Sequence, residues 1–166
     1  MKEIATAEWN ANPFTMIGKD DVLVAAERNG KVNAMTAGWG GLGVMWGKDV
    51  VFIVIRPSRY TKEFVDAGER FSVVHMGSDS KKLMTYMGTV SGRDEDKIAH
   101  EGLTLIPGES SPCFYEANVN IICKKLYAQE MRPDCMTDDG SIDERWYPAH
   151  DYHTLYIGEI EKILVK

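Results

Sequence analysis

Apolar residues in this chain gather into short runs instead of long helical stripes. Residues 21–28, 31–36, 50–55, 71–76, 115–127 and 154–165 are dense in β-branched, aromatic and leucine side chains, which suit a pleated, half-buried surface. Turn chemistry separates them. Asn29-Gly30 stands between the first two runs, and both residues tolerate the positive φ of a type I′ hairpin turn. Gly47-Lys48-Asp49 leads into the third. Helical spacing is confined to residues 61–67, to 80–87, where Leu83, Met84 and Met87 recur at i, i+1 and i+4, and to 94–100. Many short strands with few helices predict a mainly β fold, a Greek-key β-barrel with a few peripheral helices. In the last run Leu155, Ile157 and Glu159 share one face, and Tyr156, Gly158 and Ile160 share the other. Neither face is purely polar, so the pattern predicts a barrel interior on one side and a second covered surface on the other.

Composition narrows the picture. At 166 residues the chain fits a single domain, residues 1–166, able to bury a core without staples. A hydrophobic fraction of 44% and a charged fraction of 27% are those of an ordinary globular protein. The net charge of −6, with acids spread along the chain, disfavours nucleic acid and anionic membrane surfaces as partners. No apolar run approaches a bilayer's thickness, and the start of the sequence has mixed charge, so the expectation is a cytoplasmic protein. Three cysteines, Cys113, Cys123 and Cys135, lack C-x-x-C spacing and read as packing thiols, with Cys135 in a polar loop open to oxidation.

Two segments carry candidate chemistry. Asn33-Ala34-Met35-Thr36-Ala37-Gly38-Trp39-Gly40 offers small side chains and bare backbone that a flat ring can approach closely. It also reads as a glycine-rich bend entering a barrel, with Trp39 an ordinary core aromatic. Arg56-Pro57-Ser58-Arg59-Tyr60-Thr61 lies where a strand gives way to a helix, and the free N–H groups of such a helix favour an anion. Arg56 could instead pair with a carboxylate, and Thr61 could cap the helix. Ser91-Gly92-Arg93-Asp94 reads as a capped helical turn, with Arg93 and Lys97 one turn apart and solvated.

These two segments, with Ser91-Gly92-Arg93-Asp94 and Asp151-Tyr152-His153-Thr154-Leu155-Tyr156-Ile157-Gly158, resemble the flavin reductase-like, or flavoredoxin-like, family of FMN-binding split-barrel proteins. Gly38 stands where many relatives are expected to carry Ser. The resemblance implies an FMN-dependent oxidoreductase that takes electrons from NADH or NADPH, with a homodimer as the working unit. It implies cofactor contacts from Asn33, Met35, Thr36, Ala37, Gly38, Trp39, Arg56, Arg59, Tyr60 and Thr61. The phosphate falls to Arg59 and Thr61 in preference to Arg56, which braces the loop. Arg93 or Lys97 is expected to meet the cofactor or a nicotinamide phosphate, and His153 is the catalytic candidate, with a structural role as the rival reading. No metal is expected. A non-enzymatic FMN-binding electron carrier is the alternative function, and a barrel that has lost its flavin is a third.

Overall fold

A computed structural model describes all 166 residues. The elements in order are β1 (Lys2–Ile4), α1 (Pro13–Met16), β2 (Val22–Arg28), β3 (Lys31–Ala37), β4 (Gly40–Met45), β5 (Lys48–Ile55), α2 (Tyr60–Ala67), β6 (Arg70–His75), α3 (Lys81–Thr89), α4 (Lys97–His100), β7 (Val119–Glu130), α5 (Ser141–Trp146) and β8 (Thr154–Val165). The fold is mainly β, as the short apolar runs predict. All pairings are antiparallel, in the order β3-β2-β6-β7-β8-β5-β4, with β1 added on β8.

The β2–β3 hairpin turns at Asn29 (φ 53°) and Gly30 (φ 75°), with Arg28 opposite Lys31. That is the positive-φ pair a type I′ turn demands. The run expected at 115–127 becomes a strand only at Val119. The Asn120 side chain accepts from Phe114 N–H at 2.8 Å and donates to Phe114 C=O at 3.1 Å, which folds the preceding residues into a loop. The helix expected over 94–100 shrinks to α4, because the Asp96 carboxylate accepts from Ala99 N–H at 3.1 Å and fixes the start there. β4 was not expected, since Gly40, Gly41 and Gly43 lower strand propensity. Its glycines answer to packing: a Cβ on Gly41 would strike the Phe52 ring of β5. α1 and α5 were also not expected.

One core cluster joins strands from the whole sheet path. Val24 of β2, Met35 of β3, Ile53 of β5, Phe71 of β6, Cys123 of β7 and Tyr156 of β8 all belong to it, with Phe64 and Val65 of α2. Strands at both ends of the path sharing one interior is the mark of a sheet curled on itself. A second cluster covers the outer face, where Leu23, Ala25 and Ala34 pack against Met84 and Met87 of α3. Cys113 and Cys123 are buried, as packing thiols should be, and Cys135 is exposed. No helix is long and apolar enough to cross a membrane.

Candidate functional site

β3 ends at Ala37 and the chain turns through Gly38 and Trp39 into β4, while β5 ends at Ile55 and turns through Arg56 to Arg59 into α2. Both turns open on one cavity of about 390 Å³, a size that suits a cofactor-scale ligand. Its lining runs from Met35 to Trp39, takes in Val54, Arg56, Arg59 and Gly88, and is completed by Asp21, Trp146 and His153. The N–H groups of Gly38 and Trp39 make no hydrogen bond within the chain, which leaves two backbone donors for a ligand. A second, smaller cavity of about 70 Å³ lies beside it, lined by Asn33, Ser58, Tyr60, Thr61, Ser91, Gly92 and Lys97, and sharing Met35 and Arg59 with the first.

The small cavity collects positive charge. It holds the N-terminus of α2, where Arg59 is the N-cap residue and no side chain caps the free N–H groups. Arg59 donates to Gly88 C=O at 2.7 Å and Lys97 donates to Met87 C=O at 2.8 Å, so both cations reach the C-terminal end of α3. Lys97 is only 3% exposed. Burial, and then the nearby Arg59 charge, pushes its pKa down to about 8, and burial lowers that of Arg59 as well. Neither side chain has a carboxylate partner. One carbonyl occupies one of the three ammonium protons and one of the five guanidinium N–H groups, and the remaining donors are left to a ligand. Asn33 donates to Thr61 Oγ1 at 2.8 Å, which frees the Thr61 hydroxyl proton to be given elsewhere. A Cβ on Gly92 would overlap the Asn33 carboxamide, so this glycine makes room for the side chain that sets Thr61.

The large cavity is bordered by aromatic rings. Trp39 meets Trp146 edge to face with centroids 4.9 Å apart, and His153 lies 5.0 Å away on a tilt. His153 Nδ1 shares a 2.9 Å hydrogen bond with the Tyr147 hydroxyl. Burial, reinforced by Arg56, pushes the imidazole down to about 4, so the ring is neutral at ordinary pH. Arg56 donates to Asp151 at 2.7 Å and to Trp146 C=O at 2.8 Å, bracing the loop that carries Trp146 and His153. Its guanidinium holds the Asp151 carboxyl below the usual carboxylate range.

The structure brings together most of the residues the sequence singles out. Met35, Thr36, Ala37, Gly38, Trp39, Arg56, Arg59 and His153 line the large cavity, and Asn33, Tyr60, Thr61 and Lys97 line the small one. Several expectations need correction. Lys97 is buried, not solvated, because the 91–95 turn folds it beneath α3. Arg93 lines neither cavity: it pairs with Glu63 at 2.7 Å and lies over the Tyr60 ring. Thr61 does not cap α2, which begins at Tyr60, one residue earlier than expected. Gly38 is not needed for backbone approach to a ring alone, since a Cβ there would come within 2.5 Å of Asp21 Oδ1. Sequence reasoning missed Asp21, Gly88 and Trp146. For Trp146 a signal exists in Asp138-Asp139-Gly140-Ser141, a helix-start pattern in which Asp138 accepts from Ile142 N–H at 2.8 Å.

Comparison with known proteins places this geometry. The structure resembles a flavoredoxin from Methanosarcina acetivorans with a TM-score of 0.69 at 23% identity, covering 89% of this chain and 68% of that one. It resembles the flavoredoxin of Desulfovibrio vulgaris (Miyazaki F) with a TM-score of 0.68 at 25% identity, covering 88% and 69%. An FMN-binding domain of a flavin reductases-like enzyme from Shewanella baltica gives 0.68 at 18% identity, covering 98% and 75%. A curated relative, the uncharacterized protein YddH of Escherichia coli (strain K12), is 32% identical over 99 residues, which is 60% of this chain and about half (49%) of that protein. A sequence profile described as the flavin reductase like domain matches residues 18–166. The curled antiparallel sheet, the paired cavities and that match together identify the chain as a member of the flavin reductase like domain family.

Proposed function

We propose that the chain binds FMN, with the phosphate in the small cavity and the ring in the large one, and passes electrons from a reduced nicotinamide through the flavin to an acceptor. The observation that carries this reading is the pairing of the buried Lys97 with the half-buried Arg59. Arg59 and Lys97 sit beside an uncapped helix N-terminus with donors to spare and no acid to meet them. Buried charge without a counter-charge is costly, and a bound phosphate supplies what is missing. The Arg59 and Thr61 contacts expected from sequence remain in this proposal, Lys97, also a cofactor candidate from sequence, is assigned to the same phosphate, and Arg56 keeps the bracing role expected of it.

Bound there, the flavin supplies the hydride chemistry. The chain's own groups hold and polarise it. Gly38 and Trp39 N–H groups, which make no hydrogen bond within the chain, would donate to the ring edge, and fixed backbone donors act strongly where water is excluded. Trp39 and Trp146 offer apolar surface to the ring and keep water from it. His153, held neutral by burial, is a hydrogen-bonding group at ordinary pH and not a standing acid.

A homodimer belongs to the same proposal. Phe52 of β5 faces Ile157 of β8, which faces Tyr127 of β7, and this row lies on the outer surface. Phe52 is 40% exposed and Trp46, beside Tyr127, is 60% exposed. An apolar row of this kind fits a self-complementary interface. The deciding experiment is the visible spectrum of the purified protein, followed by NADH and NADPH added separately without oxygen. A yellow protein bleached by one of them supports the oxidoreductase. A yellow protein bleached by neither supports the electron carrier, and a protein that takes up no flavin refutes both.

A further inference from the structure

Asp21 is the least explained residue of the large cavity. It precedes β2, lies across from Gly38 where the β2–β3 ladder ends at the Val22–Ala37 pair, and holds a φ of 63°. Asp tolerates that left-handed region better than most residues, but it is still strained, and such strain collects at functional positions. Gly38 completes the arrangement, because a Cβ there would come within 2.5 Å of Asp21 Oδ1 and turn the carboxylate out of its present orientation. A strained aspartate and a glycine that clears its carboxylate are two concessions to one group.

That group has no partner. Of the hydroxyl, guanidinium, imidazole and carboxylate groups lining the cavity, Thr36 donates to Met84 C=O at 2.6 Å, Arg56 and Arg59 donate as described, and His153 bonds Tyr147. The neighbouring Asp20 bonds His75 at 3.2 Å. The Asp21 carboxylate makes no hydrogen bond, and no cation offsets it: burial, and after it the Asp20 charge, raises its pKa. An ionised carboxylate can only accept, so the ligand must bring a donor. An oxidised flavin ring carries one ring N–H, that of the imide.

We propose that Asp21 is a specificity residue of the ring cavity, its carboxylate accepting the imide N–H of the flavin. The inference rests on the flavin reading above. It assigns the unusual pairing of Asp21 with Gly38 to ring recognition and not to the turn.

The test compares FMN with 3-methyl-FMN, in which the imide hydrogen is replaced by a methyl group, by fluorescence titration of wild type, Asp21→Asn and Asp21→Gly. Both substitutes suit a left-handed backbone, and glycine relieves the strain, so the variants are expected to fold; circular dichroism and a thermal melt check this. Wild type should bind 3-methyl-FMN about ten- to hundredfold more weakly than FMN, the loss of one hydrogen bond to a charged group. Asp21→Gly should bind the two flavins alike, and Asp21→Asn should fall between. Equal binding by wild type, or full discrimination kept by Asp21→Gly, overturns the role of Asp21 while leaving the flavin site standing. Failure of wild type to bind FMN at all overturns the flavin reading and this inference with it.

Discussion

Replacing Lys97 with Met separates the two ends of the proposed ligand. The ammonium is buried, has one carbonyl partner at 2.8 Å, and carries a pKa of about 8 through burial and then the Arg59 charge. At pH 7 it is still mostly protonated and can meet a phosphate. Losing a charge-assisted contact costs about 1.5–3 kcal/mol, which is roughly ten- to hundredfold or somewhat more in FMN affinity. Riboflavin has no phosphate and should bind as before. Without flavin, Lys97→Met removes a buried charge and its repulsion by Arg59 but strips Met87 C=O of its donor. Each effect is of order 1–3 kcal/mol with opposite sign, so the thermal midpoint should move little. The pH dependence has two signs. Wild-type FMN affinity should fall by up to about tenfold per pH unit above about 8, as the ammonium of the flavin-free protein deprotonates. Stability of the flavin-free protein runs the other way: the folded pKa of about 8 lies below the usual 10.5, so the cost of the buried charge is full below 8 and is relieved between 8 and 10.5. Calorimetric titration of both flavins from pH 6 to 10 measures the binding half, and thermal melts measure the other. Riboflavin losing as much as FMN, or Lys97→Met keeping the wild-type pH slope, would refute the phosphate assignment.

Other expectations follow from the same contacts. Arg56→Ala should weaken FMN and riboflavin by the same factor and lower the thermal midpoint, because it releases the loop held through Asp151 and Trp146; a selective loss of FMN would make Arg56 a phosphate ligand after all. Gly92→Ala drives a methyl into the Asn33 carboxamide, an overpacking of about 1–3 kcal/mol, and should weaken FMN more than riboflavin as Thr61 loses its setting. His153 should show no NMR titration midpoint between pH 5 and 8. Its folded pKa of about 4 lies below the usual 6.5, so stability is lost as pH falls from 6.5 towards 4. A midpoint near 6.5 would show an imidazole in open water.

The parts of the fold legible in the sequence are those fixed by near neighbours. Asn29-Gly30 dictates its own turn, the continuous apolar run of β5 marks a strand, and the alternation along β8 needs only the period of the strand. Arg59-Tyr60-Thr61 is legible because a strand end and a helix start meet there. What escaped depends on residues far apart in the chain. β4 is a strand because β5 pairs with it, whatever its glycines prefer. Lys97 looks solvated beside Asp94, Glu95 and Asp96, and only the fold shows it turned inward to Met87. Asp21 reads as a polar residue before a strand, and nothing near it in sequence reveals that Gly38 clears space for its carboxylate. Arg93 misled for the same reason, its carboxylate partner Glu63 being thirty residues away.

β8 lies inside the sheet, between β7 and β5, yet it is the last of the strands in sequence order. The β2–β3 hairpin and the β6–β7 pair can form as soon as their residues leave the ribosome, but β5 has only β4 and β8 as ladder partners. The β4–β5 hairpin must therefore wait, without its second ladder partner, for more than ninety further residues to be synthesised before β8 arrives to stitch it to β7. Loop closure over that distance is slow, and it leaves the edge of β5 open to wrong partners in the meantime. Arg56 at the end of β5 finds Asp151 and Trp146, just ahead of β8, only when this last docking occurs. The ring cavity thus takes shape only once β8 has docked, and flavin uptake is a readout of that late step.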